Sequence, residues 1–498
     1  MKNKYYKTHT LLLAIVLVTL FGCSKLSMDE LSVDPNNPTE ANLDLLLTNT
    51  ESDIAGTLGY YWDRYAGAFV QTFAGNHATG VSADRYLLVS SDFEDMFTIR
   101  YRTGLKDAYE IINQGTDAEL WHHVGIAKIM MATGLGFLTD VYGDIPYSEA
   151  FKGIKNATPA YDSQEEIYNN IFTLLSEAIV DLNKTPKIGL KNSADIIFGG
   201  DLNKWKATAN LLLARYHNHL SKVDPAQSAT NSLKYVDDAI ALGINNSFNY
   251  TFPYDGSSNW RNPWYVLYEN NLIIASKKFM DLLQNTDDPR LRAYWDDKPY
   301  NYPNNNGVLG FVGKPNGDPT GSASFSPVGP QTYYGKTNSP ELIATYFELK
   351  FIEAEVAFRS GDKGRAATAL NDAIAAQLDL VTPTVVGLIT EEGGDLTAYQ
   401  NSIAAYKTTY GNETAATVTI DKIMTEKYKA MFTMNVETWT DLRRHDFAYP
   451  SGGYLALPNS SNLTEYIRRG LYPQNELDNN GANVPKGVKM TTRLWWDQ

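Results

Sequence analysis

The chain has one cysteine, Cys23, so no disulfide can form within it and its stability must come from burial. It also has little positive charge: the formal net charge is −14, and no Lys/Arg stripe interrupts the acidic balance. Such a surface repels phosphate backbones and excludes nucleic acid as a partner. Catalytic signatures are missing too. There is no Gly-x-Ser-x-Gly elbow, and the adjacent His122 and His123 point to different sides of a helix with no His-Glu-x-x-His motif. Gly307-x-x-Gly310-x-x-Gly313 has neither a strand before it nor a helix after it, which argues against a phosphate loop. No residue pattern calls for a cofactor or a metal.

What is present begins at the N-terminus. Lys2, Lys4 and Lys7 precede an apolar run from Leu11 to Phe21 that is too short to span a bilayer but long enough for a signal-peptide core. The run ends Leu20-Phe21-Gly22-Cys23, which resembles the lipobox of bacterial lipoproteins. The resemblance implies that the leader, residues 1–22, is removed and that Cys23 becomes an acylated first residue, carrying diacylglycerol and a further fatty chain such as palmitate. Only a thiol is nucleophilic enough near neutral pH for that thioether. One acyl chain, at roughly 0.8 kcal/mol per buried CH₂, anchors only marginally, so two or three make a lasting tether.

Residues 23–38 read as a linker closing in Asp34-Pro35-Asn36-Asn37-Pro38, after which Thr39 and Glu40 open a helix to about Leu58. Helical patterning continues to about Phe73, then over about Phe93–Asn113 and Glu119–Leu138. Gly125, Gly134 and Gly136 in the last of these point to close approach by a neighbour. Asp162 or Ser163 caps a helix to Leu182, and two more run near Asn203–Ser221 and Ala229–Leu242. From about 246 to 335, Gly, Pro, Asn and aromatic residues dominate, with one convincing helix near Glu269–Leu283. A bulky helix from Glu341 then meets Gly361-Asp362 and an Ala-faced helix, as in a tetratricopeptide-type hairpin. A further helix covers about Asp421–Met434. The expected fold is mainly α: tetratricopeptide-like hairpins forming a scaffold over 39–498, carrying the loop-rich aromatic insert.

Gly143-Asp144-Ile145-Pro146-Tyr147, Gly200-Asp201-x-x-Lys204-Trp205, the Glu341–Asp362 hairpin, Trp439-x-Asp441-Leu442-Arg443-Arg444 and Pro473-Gln474-Asn475-Glu476 occur in this order. Together with the lipobox they resemble the SusD/RagB family of Bacteroidetes outer-membrane lipoproteins, nearest the branch that opens with a segment like Asp34–Pro38. The resemblance implies a non-enzymatic, lipid-anchored protein at the cell exterior that captures nutrients, usually glycans and in some members peptides. It passes them to a SusC-like TonB-dependent transporter. In one departure, Ser24-Lys25-Leu26-Ser27-Met28 stands where surface-bound members often carry an acidic cluster.

Aromatics make up 12% of the chain, 32 of them Tyr, and a rigid ring with a polar tip grips solvated ligands at low entropic cost. The candidate ligand contacts lie in the insert: Trp260, Trp264 and Tyr265 with Asn259, Arg261 and Asn262 beside them, then Tyr300 and Tyr302, then Tyr333 and Tyr334. Each ring has an equally simple role in packing the loops or facing the transporter. Glu341, Glu348 and Glu355 recur at seven-residue steps, as on a solvated face, with Arg359 completing an i,i+4 pair. Arg443 and Arg444 fit a buried ion-pair network that ties the last helix to the body. A peptide carrier, a secreted hydrolase and a structural adaptor binding only the barrel are the rivals. In protein from the native host, mass spectrometry should find Cys23 first and lipidated, and Cys23→Ala should leave the leader attached or free the protein from the membrane.

Overall fold

Asn42 opens the first helix among the described residues by accepting the Asp44 N–H on its side chain. The computed structural model describes residues 42–297, 310–321, 324–458 and 463–498. Helix α1 (Leu43–Thr57) runs directly into a π-helical turn, Leu58–Asp63, and a short helix, Arg64–Phe69. The helix expected over 93–113 is two, α2 (Glu94–Arg102) and α3 (Gly104–Asp117), with the break at Thr103. There Asp53 of α1 accepts from the Thr103 hydroxyl and the Gly104 N–H, giving the interrupted backbone a partner.

Three successive pairs make the scaffold: α4 (Trp121–Tyr142) with α5 (Gln164–Asp181), α6 (Leu202–His219) with α7 (Pro225–Ala241), and, later in the chain, a third pair around Gly361. Capping defines their starts. Ser163 and Glu166 form a reciprocal box at α5, and Asp201 accepts two amides at α6. Helix α4 is long and apolar enough to cross a bilayer, but 94% of its apolar window is buried inside the protein, which makes it a core helix. A Cβ on Gly136 would lie 2.0 Å from the Tyr216 hydroxyl of α6, so the close approach suggested by its glycines is real.

The insert contains more order than the sequence suggested. The stretch expected as one helix over 269–283 is α8 (Pro263–Glu269), a strand, and a helix at Lys277–Asn285. Two antiparallel strand pairs staple it. β1 (Phe73–Gly75) pairs with β3 (Ile273–Ala275), Phe73 opposite Ala275, and β2 (Asn249–Phe252) pairs with β4 (Glu341–Thr345), Asn249 opposite Thr345 with a bulge at Tyr250/Thr251. The insert's entry and exit are thus hydrogen-bonded to one another. The helix expected to start at Glu341 therefore starts five residues later, as α9 (Tyr346–Arg359), under a Thr345/Glu348 capping box. It packs on α10 (Lys363–Glu391), and a helix at Leu396–Tyr410 had no clear sequence signal. α11 (Ile420–Ala430) and α12 (Asn435–Arg444) follow.

The glutamates expected on a solvated face are inside. Glu341, Glu348 and Glu355 are at most 1% exposed: the Glu341 carboxylate on β4 lies against Gly59 of the π-helical turn, and Glu348 and Glu355 lie on α9, which is covered by α6, α7, α10 and α11 rather than by water. A buried carboxylate needs charged donors. Arg215 of α6 grips both oxygens of Glu348 at 2.6 Å and lies 3.4 Å from Glu437 of α12. Arg444 grips both oxygens of Glu355 at 2.7 and 2.9 Å and also binds Asp441, which takes Lys427 at 2.7 Å. Arg443 donates to the Asp140 and Arg468 carbonyls and lies 3.9 Å above the Trp439 ring. The arginine pair is the structural tie that the sequence suggested.

His219 stands between Asp140 (Nδ1 to Oδ2, 3.2 Å) and Glu437 (Nε2 to Oε2, 3.0 Å), with Tyr168 and the Trp496 N–H also on Asp140. These three acidic and imidazole groups bring ligand atoms within 4.8 Å of one another. Both ring nitrogens already face a carboxylate, so an imidazolium supplies the positive charge that a metal ion would. Burial pushes the ring's pKa down, but the two carboxylates outweigh it and raise it to about 9.

Two tests follow from these buried charges. A raised histidine pKa contributes stability below its unfolded value, near 6.5, and loses it as pH rises through about 9. Urea denaturation should therefore show stability falling between pH 6.5 and 9, by up to about 3 kcal/mol from this group, and His219→Gln should flatten that part of the profile. Arg444→Ala leaves Glu355 and Asp441 buried without their main cation and should cost about 3–5 kcal/mol in the same assay.

Candidate functional site

The insert presents its rings unequally. Trp264 is 1% exposed, 5.2 Å from Phe73, and Tyr334 is 1% exposed, 5.1 Å from Phe432. These two expected ligand contacts are core residues in this structure, because α8 lays Trp264 against β1 and the neighbouring loop folds Tyr334 onto the helical body. Tyr300, Tyr302 and Cys23, the expected anchor, lie outside the described residues.

Trp260 is half-buried, stacked on Phe252 of β2 at 5.6 Å and 27°. Its loop is set by the Gly256 N–H donating to the Trp260 carbonyl and the Trp260 N–H donating to Ser257, with Gly256 at φ +81°. Asn259 beside it is exposed. Arg261 pairs with Glu269 at 2.7 Å and lies 5.7 Å from the Tyr265 ring, which in turn meets Tyr268 at 6.1 Å. Tyr265 is half-buried. Asn262 has a structural role, accepting the Trp264 N–H as the cap of α8 and donating to the Ser339 carbonyl. Tyr333 is half-buried against Tyr334 at 4.9 Å, and burial raises its hydroxyl to about 12, so it stays a neutral donor. Trp260, Tyr265, Arg261 and Asn259 thus share one segment, and each is at least partly exposed to solvent.

Sequence reading missed the edge that holds this segment. Asn76 and Asn271 join side chain to side chain at 2.8 Å where β1 and β3 end, and Ala78 and Asn271 have positive φ. Asn316 and the Gly317 N–H bind the two oxygens of Asp84 at 2.6 and 2.8 Å, and the buried Lys314 donates to the Gly75 carbonyl. Burial raises Asp84 to about 6 against the pull of these donors. His77 stands exposed at this rim. No local motif marks the arrangement, since its partners lie about 190 to 240 residues apart in the chain.

Glu341, Glu348 and Glu355 do not form a hydrolytic pair: each is sealed in the interior, the latter two against arginines. Burial, then the nearby Asp63, raises Glu341 well above the usual carboxylate range. His122 and His123 bind the Lys184 carbonyl and Asp44 on separate faces of α4 and build no common site.

Among known proteins, a SusD-like family model, described as starch-binding and associating with outer membrane, matches residues 35–473. No curated protein matches the sequence. A SusD/RagB family protein from Bacteroides thetaiotaomicron superposes with a TM-score of 0.75 at 25% identity, over 92% of this chain and 99% of that one. A chitin-binding protein gives 0.74 at 27% identity, over 92% and 100%. A chitin-binding SusD homologue from Flavobacterium johnsoniae shares the fold, with 0.71 at 22% identity over 91% and 98%. With a family match spanning most of its length and the same mainly helical architecture, the chain belongs to the SusD-like family.

Proposed function

We propose that the protein is a non-enzymatic lipoprotein of the bacterial outer membrane, held by acylated Cys23, that captures oligosaccharides and delivers them to a SusC-like TonB-dependent transporter. The observation that carries this reading is the family match over residues 35–473, whose description joins starch binding to outer-membrane association. A full-length structural neighbour that binds chitin, at 27% identity, supports a saccharide as ligand. The contacts are Trp260 and Tyr265 as stacking faces, Asn259 and Arg261 as hydroxyl partners, and Tyr333 as a neutral donor from the insert's far end.

Sugars present C–H faces to rings and hydroxyls to amide and guanidinium groups, so a ring already held by Phe252 loses little freedom on binding. Tethering binder and transporter to one surface raises their effective concentration, and modest affinity for the ligand suffices. Isothermal titration of maltotriose, chitotriose and an oligopeptide panel tests the ligand class. Trp260→Ala should weaken saccharide binding at least about tenfold, about 1.4 kcal/mol, with little change in melting temperature. Unchanged saccharide affinity would remove Trp260 from the site, and binding confined to peptides would overturn the saccharide reading.

A further inference from the structure

A cleft of about 500 Å³ opens between α2, the start of α3, the 146–159 loop and the short helix Gln474–Asn479. None of the insert residues proposed above lines it. One wall is a run of rings: Phe97 meets Tyr101 at 4.9 Å and Tyr101 meets Phe151 at 5.9 Å, while Phe151 also meets Tyr109, outside the lining, at 5.2 Å, with planes inclined by 30–39°. The Tyr101 hydroxyl donates to the Pro146 carbonyl at 2.7 Å, which fixes the ring and leaves its carbon surface to the cleft.

Two features separate this cleft from a packing gap. Phe151 has φ +64°, a left-handed conformation that is strained for a bulky side chain. Its carbonyl accepts from Lys106 at 3.3 Å, so the strained backbone is held and the ring stays in the wall. Across the cleft, Asn475 is positioned by its N–H donating to Glu94 and its amide donating to Thr98, both at 3.2 Å. Its Oδ1 is nevertheless buried without a hydrogen-bond partner. An unpaired amide oxygen on one wall and a strained aromatic residue on the other are what a site waiting for a polar ligand looks like.

We propose that this cleft is a second saccharide-binding site, for a short neutral oligosaccharide. Volume and lining suit such a ligand. The rings offer a stacking wall. Asn475, Glu476 and Asn479 of the short helix, and Arg102 at the end of α2, offer hydroxyl partners. Glu476 accepts from Tyr161 and Asn480 on Oε2, while Oε1 makes no bond among the described residues. Arg102 is exposed and makes no side-chain bond or ion pair among them. Charge argues against an anion, since Lys106 is already neutralised by Glu110 and Arg102 shares the cleft with Glu476. The ligand class rests on the saccharide reading above, but none of that reading's residues takes part. Two separate sites on one chain would hold a long glycan at two points, so release from one leaves the other engaged.

The test is isothermal titration of the mature protein with maltotriose and chitotriose. In Trp260→Ala, binding that survives should fall at least tenfold when Arg102→Ala and Asn479→Ala are added, or when Phe151→Gly is added. The first two change exposed residues, and glycine accepts the φ at 151, so thermal melts should show each variant folded. Surviving binding that ignores these changes, or no surviving binding at all, overturns the cleft and leaves the insert reading in place. Binding that ignores Trp260→Ala but is lost with the cleft changes supports the cleft and overturns the insert. Failure of the unaltered protein to bind either saccharide overturns both.

Discussion

Arg215 is a cation held away from water by Glu348 on one side and Glu437 on the other, and those three residues belong to α6, α9 and α12. Each helix comes from a different part of the chain. An isolated charge at that depth is very costly, so the three segments must meet in one alignment or not at all. Hydrophobic burial supplies most of the driving force for folding but is indifferent to small shifts between helices. Paired ions are not indifferent. The neighbouring Glu355–Arg444–Asp441–Lys427 and Asp140–His219–Glu437 groups repeat the constraint, and together they set α12 against the scaffold to within a hydrogen-bond length.

That alignment reaches the surface through short backbone links rather than through a second core. β4 leads directly into α9, and β2 pairs with β4, so the insert's two ends inherit the position of the buried ion pairs. Arg290, inside the insert, adds another buried tie by binding Asp288 and Glu426 of α11. A segment rich in Gly, Pro and Asn would ordinarily sample many conformations. Here its entry, middle and exit are pinned, and the loop around Trp260 is carried on fixed supports. Binding loops on a rigid scaffold are the common solution when a protein must recognise without rearranging.

Much of this architecture was written in periodicity and caps. Asp162 or Ser163 announced α5, the α4 glycines announced close packing, and Gly361-Asp362 announced the hairpin turn. What the sequence hid was burial. Glu341, Glu348 and Glu355 have the spacing of a solvated stripe, and only the tertiary cover over β4 and α9 decides that they are interior. Trp264 and Tyr334 were read as open for the same reason and are buried: a ring in a loop-rich segment has the same local signature whether it faces water or packs inward. The Asn76–Asn271 and Asp84–Asn316 bonds were invisible because their partners are distant in the chain and carry no motif. The 97–106 cleft escaped notice because its wall is a pair of ordinary amphipathic helices until the 146–159 loop folds over them.

Ring availability, and not ring number, therefore limits what this protein can hold. Most of its aromatic mass stabilises the scaffold: Trp205, Trp264, Trp295, Trp439 and Trp496 are all fully buried. The rings left half-open, such as Trp260 on Phe252 and Phe151 on Tyr101, each rest on another ring. That support fixes the exposed face before a ligand arrives, so little conformational entropy is lost on contact. Under the proposed function, a few such faces would give weak, quickly reversed binding. For the proposed delivery role tight retention would slow transfer, and the proposed membrane tether would supply by proximity what each face lacks in affinity.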